Sequence, residues 1–387
     1  MTAVGARSAN IGRAAAGYRP DIDGLRAVAL GALLAWATAF RFAPGGYVGV
    51  DVFFVISGFL VTGMLVGDLE RAGGLSLARF YGGRIMRTLP LLAIVLLAVV
   101  VASQAVLTPL RNDSVADDVI SSALFVVNWR FIADGVDLFG AGIDGSPVEH
   151  LWSLAAGAQF VVLWAPALLA ATWWSRRRDE GTRAAALALA AGVGAASFAY
   201  CVLYTASDPT PAYFSTLTRA WEPALGAGLA LIPLPRLAPR LRSGLAGALG
   251  VAGMAAIAYA TIEFSSRTAF PGVAALVPTL GAAALITAGR IDPRAIATRA
   301  LALAPLRYVG RISYAWFLWF WPVLVLAQVE YGPLSTRERA AVVCVAALPA
   351  LLTHHLVGEP LRRARTARLR PERALALGGA CTAAAVA

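Results

Sequence analysis

A chain of 387 residues that is 59% hydrophobic and only 14% charged, with a mean hydropathy of +0.69, is too apolar for a soluble globular protein. Its net charge of +11 comes from arginine alone, since the sequence contains no lysine. These arginines sit between apolar runs and not in a basic stretch interleaved with exposed aromatics, which excludes a nucleic-acid-binding protein, and the apolar runs recur along the whole length, which excludes a soluble domain on a single anchor.

Windows of about 20 apolar residues, the length needed to cross the hydrocarbon core, predict spans near 22–42, 46–67, 85–107, 150–174, 184–206, 217–234, 243–262, 271–289, 308–329, 340–357 and 374–387. The expected fold is an all-α polytopic membrane helix bundle of about 10-11 transmembrane helices. Residues 1–21 form a tail, residues 22–387 one transmembrane domain, and the final span is cut short at Ala387. Sorting the arginines between alternate sides puts 26 with the tail and the loops after even-numbered spans, and seven opposite. The positive-inside rule then makes the N-terminus cytoplasmic, and an odd number of crossings leaves the C-terminus outside. A secretory signal peptide ending in Ala37-Thr38-Ala39 is the competing reading of the start, but the motif-rich segment that follows would make a poor mature N-terminus.

One external loop is long, residues 108–149, and it is acidic, with Asp113, Asp117, Asp118, Asp134, Asp137 and Asp144. Within it, residues 120–132 are apolar but too short to span and carry Trp129 and Arg130, the pattern of an interfacial or re-entrant helix shaping an outward cavity. No internal repeat marks an inverted-repeat transporter.

Charged groups within spans are costly and therefore informative. Asp51 lies about one turn into the second span and is either a dipole-favoured N-terminal carboxylate or a functional one, and Glu222, behind Arg219 and Trp221, has the same ambiguity. Arg84 and Arg87, three residues apart, share one helix face. They are either a positive-inside anchor or a pair of guanidinium forks for the phosphates of a donor such as coenzyme A. His150 opens the fourth span at its outer boundary and is either a general base or a structural donor. His354 and His355 have no acidic or cysteine neighbour beside them and point to different helix faces, and Cys201, Cys344 and Cys381 have no paired spacing. No metal site is expected.

Taken in order, the motifs resemble the membrane acyltransferases of family 3. Tyr18-Arg19-Pro20-Asp21-Ile22-Asp23-Gly24-Leu25-Arg26-Ala27 is similar to the family's R-P-E-I-D-G-L-R-A, and residues 45–60, with Asp51 and Ser57, follow its second-span motif almost letter for letter. Phe80-Tyr81-Gly82-Gly83-Arg84-Ile85-Met86-Arg87 matches F-Y-x-x-R-x-x-R. His150-Leu151-Trp152-Ser153-Leu154 matches H-T-W-S-L, Thr218-Arg219-Ala220-Trp221-Glu222 matches T-R-A-W-E, and Gly310-Arg311-Ile312-Ser313-Tyr314 the start of the ninth span. The resemblance implies an O-acyltransferase in the plasma membrane that takes an acyl group from cytoplasmic acyl-CoA (acetyl-CoA), bound at Arg84 and Arg87, to a hydroxyl of a cell-surface polysaccharide or glycolipid. His150 and Asp51 are the candidate catalytic groups, and Asp23, Arg26, Ser57, Trp152, Ser153, Gln159, Glu222, Ser313 and Tyr314 the motif positions. Members of the family often carry an extracytoplasmic hydrolase-like domain after the last span, which is absent from this chain.

The departures fall where chemistry is expected. The family's first-span histidine is Ala37, after Trp36. The two glutamates of V-E-E-Q-F are Gly157 and Ala158, before Gln159 and Phe160, and the histidine of L-W-H-W-P is Phe320. None of these side chains accepts a proton, and acyl transfer to a hydroxyl needs a base. The alternative reading is therefore a catalytically inactive relative, a pseudoenzyme acting as a binding or partner protein, in which the aromatic-rich ninth span would suit lipid or sugar.

Overall fold

The computed structural model describes residues 18–72, 75–137, 145–177, 181–235, 237–366 and 371–386. Of the expected tail only residues 18–21 are among them, and Asp144 lies outside the described residues. All regular structure among the described residues is helical, as lipid requires of any chain that must satisfy its own backbone and does not close a barrel.

Helix α1 (Pro20–Ala37) starts where Pro20 needs no hydrogen-bond partner and where Asp21 and Asp23 meet the positive end of the dipole. A single 3₁₀ turn leads into α2 (Gly49–Ala72). Helix α3 (Leu77–Val106) is capped by Ser76, whose hydroxyl accepts from the Arg79 amide. The segment expected as a loop folds into α4 (Pro109–Ala123) and α5 (Val127–Ala133), joined at Phe125, which takes a left-handed φ of 57°. Helices α6 (Trp152–Arg176) and α7 (Thr182–Ser207) follow as a pair, then three short helices, α8 (Pro209–Phe214), α9 (Thr216–Arg219) and α10 (Trp221–Leu231). The remainder is α11 (Pro239–Glu263), α12 (Leu276–Ile291), α13 (Ile296–Leu301), α14 (Ala304–Tyr331), α15 (Thr336–Val345), α16 (Ala347–Thr353), a π-helical turn over His354–Gly358, α17 (Glu359–Thr366) and α18 (Pro371–Val386).

Eight stretches among the described residues are long and apolar enough to cross a membrane: Gly46–Glu70, Leu77–Val106, Glu149–Arg176, Thr182–Ser207, Pro239–Glu263, Val273–Ile291, Ala304–Tyr331 and Thr336–Arg362. The other three expected spans are helical but fall short of that standard. Helix α1 has 18 residues and carries Asp21, Asp23 and Arg26. The expected sixth span is broken at Ala220 into α9 and α10, and the 11 residues of α10 reach only about 16 Å at about 1.5 Å per residue. Helix α18 has 16 residues.

Helix α2 sits at the centre, packed by α1, α10 and α12, while α14 crosses α1 and α3 and α18 lies along α3. Close approach depends on missing side chains. The Pro223 carbonyl of α10 occupies the space a Cβ on Gly58 would take, and the Val55 carbonyl of α2 does the same at Gly226. Such reciprocal contacts of backbone on glycine draw membrane helices together where no hydrophobic force acts between them.

Three prolines lie inside long helices, Pro90, Pro166 and Pro322, and each leaves the carbonyl four residues earlier without its helical donor. The carbonyl freed by Pro166 is that of Val162, and the Tyr81 hydroxyl donates to it at 2.7 Å, tying α3 to α6.

A candidate donor chamber and a sealed aromatic pocket

Arg84 and Arg87 stand on the first turns of α3 and line a cavity of about 980 Å³ enclosed by α2, α3, α6, α14 and the α4–α5 junction. Arg26 of α1 joins them, close enough to Arg87 to feel its charge, with Asp23 as the acidic counterweight. Three guanidinium groups from two helices thus converge at one end of a chamber at the upper limit of ordinary small-molecule sites. The R-x-x-R spacing places two of them on one face, and the packing of α1 against α14 and α2 supplies the third.

The other walls contain motif positions spread over more than 250 residues of sequence: Ser57 on α2, Ser153, Gly157, Ala158 and Gln159 on α6, Ser313 and Tyr314 on α14. Several are already committed to structure. The Ser313 hydroxyl donates to the Gly310 carbonyl at 2.9 Å, and the Tyr314 hydroxyl donates to the Thr88 carbonyl at 2.9 Å. Ser153 donates to the His150 carbonyl at 3.2 Å. A Cβ on Gly157 would stand in ordinary contact with the Phe54 ring, at 3.4 Å, and neither Gly157 nor Ala158 offers a proton acceptor to the chamber they line.

Gln159 holds the roof of the chamber. Its amide nitrogen donates to the Phe125 carbonyl at 2.7 Å and to Asn128 Oδ1 at 2.9 Å, while its oxygen accepts from Trp129 Nε1 at 3.0 Å and from the Thr216 hydroxyl at 2.6 Å. Asn128 in turn donates to the Phe214 carbonyl and to Thr216 Oγ1. This network fastens the α4–α5 hairpin onto α6 and α9 and holds Phe125 at its positive φ. On the outer face of the hairpin, Arg130 Nε donates to Asp118 at 2.7 Å. Burial raises the Asp118 carboxyl above its ordinary range, against the pull of Arg130 and a Ser146 hydroxyl.

Asp51 and Glu222 lie outside this chamber, in a second buried polar centre. Arg219, the last residue of α9, reaches both carboxylates through Nη1 at 3.0 Å each and donates from Nε to the Tyr213 carbonyl at 3.1 Å. All three groups are 0–2% exposed. The guanidinium carbon is 4.8 Å from the Tyr213 ring centre, 5.0 Å from Phe270 and 5.4 Å from Trp152, so aromatic faces complete its shell. A buried charge set of this kind is tolerable only with such geometry, and it clamps the break between α9 and α10 onto the start of α2. The sequence reading placed Arg219 only as a neighbour of Glu222. A guanidinium in the middle of the T-R-A-W-E motif is the signal that pointed to it.

His150 occupies a third environment. It lines a void of only about 20 Å³ together with Trp36, Tyr47, Trp152, Phe317, Phe320 and Trp321. Neither ring nitrogen makes a hydrogen bond. The Leu318 carbonyl, freed by Pro322, and the Phe317 carbonyl lie beside the ring, short of good hydrogen-bond geometry. Phe320 stands 5.6 Å from the imidazole, Trp36 stacks on Trp321 at 5.7 Å, and Ala37 is buried in the same apolar cluster as Phe320. Of the two positions where the resemblance implies histidines, Phe320 packs against His150 and Ala37 is buried beside Phe320. Val50 and Phe317 line both the void and the large chamber, so a single layer of side chains separates His150 from the arginine-bearing cavity.

At His354 and His355 the tertiary structure corrects the sequence reading, which found no acidic partner. Glu359 comes round in the π turn, its carboxylate 3.2 Å from His355 Nδ1, and Tyr308 Oη lies 3.2 Å from His355 Nε2. The ligand atoms of the two histidines and Glu359 all lie within 4.8 Å of one another, close enough to share a divalent cation. Arg362, 3.4 Å from the same carboxylate, works against a cation there.

Comparison with known proteins agrees with this arrangement of motifs. The family description "Acyltransferase domain" matches residues 19–354. The peptidoglycan O-acetyltransferase OatA of Listeria monocytogenes is 31% identical over 361 residues, 89% of this chain and 56% of that protein. The O-acetyltransferase OatA of Staphylococcus aureus is 27% identical over 354 residues, 89% of this chain and 57% of that protein. The chain thus spans little more than half the length of these curated relatives. No solved structure matches it. With most of its length matched, and with the motif residues of five separated segments gathered around one chamber, the chain belongs to the membrane acyltransferases of family 3.

Proposed function

We propose that the chain binds acyl-CoA in the large chamber and serves O-acylation of a cell-wall glycan, the class of reaction named for its relatives. The observation that carries this reading is the chamber itself, about 980 Å³ with Arg26, Arg84 and Arg87 at one end and the α6 and α14 motif positions along its walls. Guanidinium forks bind phosphate through paired charge-assisted hydrogen bonds, and the positive-inside rule would put the arginines on the cytoplasmic side. Acyl transfer would join the acceptor oxygen to the thioester carbonyl, break the carbon–sulfur bond and send the hydroxyl proton to the departing sulfur. The test is isothermal titration of acetyl-CoA into the purified protein and into an Arg84→Ala, Arg87→Ala double variant. Binding that vanishes in the variant is the expected result, and equal binding by both proteins rejects the site.

A second reading is favoured by one specific observation: among the described residues that line the chamber there is no carboxylate or imidazole, and His150 lies in a separate small void. On this reading the protein binds donor without turning it over. Acetyl transfer to a muropeptide or soluble glycan acceptor separates the two. Turnover by the wild type, lost in His150→Gln, supports catalysis through His150. No turnover by the wild type, and gain on restoring Gly157→Glu and Ala158→Glu with Ala37→His and Phe320→His, supports a binding protein that has lost its base.

A further inference from the structure

The large chamber is lined on one side by residues that are themselves exposed. Five of its lining residues are at the same time exposed on the apolar outer surface of the bundle: Met64 on α2, Leu124 and Val126 at the α4–α5 junction, and Val162 and Leu163 on α6, the last two 54% and 68% exposed. Met64, Val162 and Leu163 fall within stretches that cross the membrane, so the surface they reach is covered by lipid tails. That side is framed by polar bonds made from residues of the chamber. Beneath it the Tyr81 hydroxyl binds the Val162 carbonyl that Pro166 leaves free, and above it Gln159 holds Phe125. These bonds satisfy the backbone groups that a gap between helices would otherwise leave bare in hydrocarbon.

The interior on that side is apolar as well. Leu60, Val161 and Phe53 continue the surface inward from Met64 and Leu163, and Gly157 and Ala158 add neither charge nor bulk. Charge is confined to the Arg26, Arg84 and Arg87 end. A chamber that is cationic at one end and apolar along a side that faces lipid complements a molecule with an anionic, phosphate-bearing head and a long aliphatic tail.

We propose that the acyl chain of the donor leaves the chamber sideways, between Met64 and Leu163, and lies in the bilayer, so that the protein accepts long-chain acyl-CoA. This rests on the reading of the chamber as the acyl-CoA site. It predicts a particular dependence on chain length. Carbons inside the chamber leave water for an apolar wall and strengthen binding. Carbons beyond this exit lie in lipid whether or not the ligand is bound, so they add nothing.

The experiment is titration of acetyl-, octanoyl- and palmitoyl-CoA into the full chain in phosphatidylcholine nanodiscs, with uptake by empty discs subtracted. Affinity is expected to rise about tenfold or more from acetyl to octanoyl and to stay level to palmitoyl. In Leu163→Trp, where the indole closes the mouth, acetyl-CoA should bind as in the wild type and palmitoyl-CoA should lose affinity sharply, whereas Leu163→Ala, which keeps the mouth open, should retain the rise and plateau. Equal affinity for all three donors in the wild type overturns the proposal, as does a sharp loss at palmitoyl, which a closed cavity would produce. Repeating the palmitoyl titration in discs containing phosphatidylglycerol distinguishes the source of the chain. Unchanged affinity supports acyl-CoA, and several-fold weakening overturns it in favour of an anionic lipid. If acetyl-CoA and the longer donors all fail to bind the wild type, the donor site itself falls. If acetyl-CoA binds and longer chains add nothing, only the lateral exit does.

Discussion

The two ends of the bundle have met the loss of their ionisable residues in opposite ways. Around His150, Phe320 is packed with Trp36, Trp321 and Phe317 into a wall that leaves about 20 Å³, with Ala37 buried behind it. Around Arg84 and Arg87, Gly157 and Ala158 were not filled in, and a chamber of about 980 Å³ stands open. A buried aromatic side chain gains from every contact it makes, so a histidine position replaced by phenylalanine closes. Gly157 and Ala158 add too little bulk to fill the space beside them, whereas the equally small Ala37 is covered by its aromatic neighbours. The contrast teaches that binding and proton transfer are separable in this scaffold, because they occupy different chambers divided by Val50 and Phe317.

Four variants break or sharpen that contrast. The largest effect is expected outside both chambers, at the charge centre that holds α2, α9 and α10 together. Arg219→Ala leaves Asp51 and Glu222 buried without their cation and should cost on the order of 3–5 kcal/mol, read as loss of a monodisperse peak and of the thermal transition in detergent. A wild-type transition would mean that the bundle does not depend on this centre.

Next comes the open chamber. Arg84→Ala with Arg87→Ala removes charge-assisted phosphate contacts worth roughly 2–3 kcal/mol, so acetyl-CoA affinity should fall about 30- to 150-fold with the melting temperature little changed. A large drop in melting temperature would instead make the pair structural anchors. A smaller loss, about 1–3 kcal/mol, is expected for Gln159→Ala, which strands Asn128, the Trp129 indole and the Phe125 carbonyl together. The hairpin over residues 109–133 should then become sensitive to limited proteolysis from the side bearing Asp118 and Arg130. Protection equal to the wild type would show that apolar packing alone holds the roof.

The smallest effect belongs to the sealed pocket. His150 makes no hydrogen bond through its ring, so His150→Phe exchanges two unsatisfied polar atoms for carbon of similar shape. Stability should stay within about 1 kcal/mol or rise. A clear fall in melting temperature, or loss of a measured acyl transfer, would show that the imidazole has a partner or a task that the closed pocket conceals.

Much of this was legible in the sequence, and each part had a local physical cause. Apolar windows and arginine spacing identify an all-helical membrane bundle, because the length of a hydrocarbon crossing is written in consecutive residues. The R-x-x-R pair shares a face for the equally local reason of helical period. The expected sixth span was less legible, since residues 217–234 are apolar enough while the break at Ala220 follows from where Arg219 must reach. His355 and Glu359 are four residues apart, the ordinary spacing of neighbours on one helix face, so this contact was legible once the segment was read as helix.

By itself, then, the sequence determined the fold class, the family motifs and the positions at which proton acceptors are missing, all properties of short segments. Only the tertiary structure decided that Arg219 meets Asp51 across 168 residues, that Arg26 joins Arg84 and Arg87, and which of the vacated positions closed and which stayed open. Those outcomes depend on the volume left between helices from distant parts of the chain, and packing fills or spares that volume according to the size and charge of every neighbour at once.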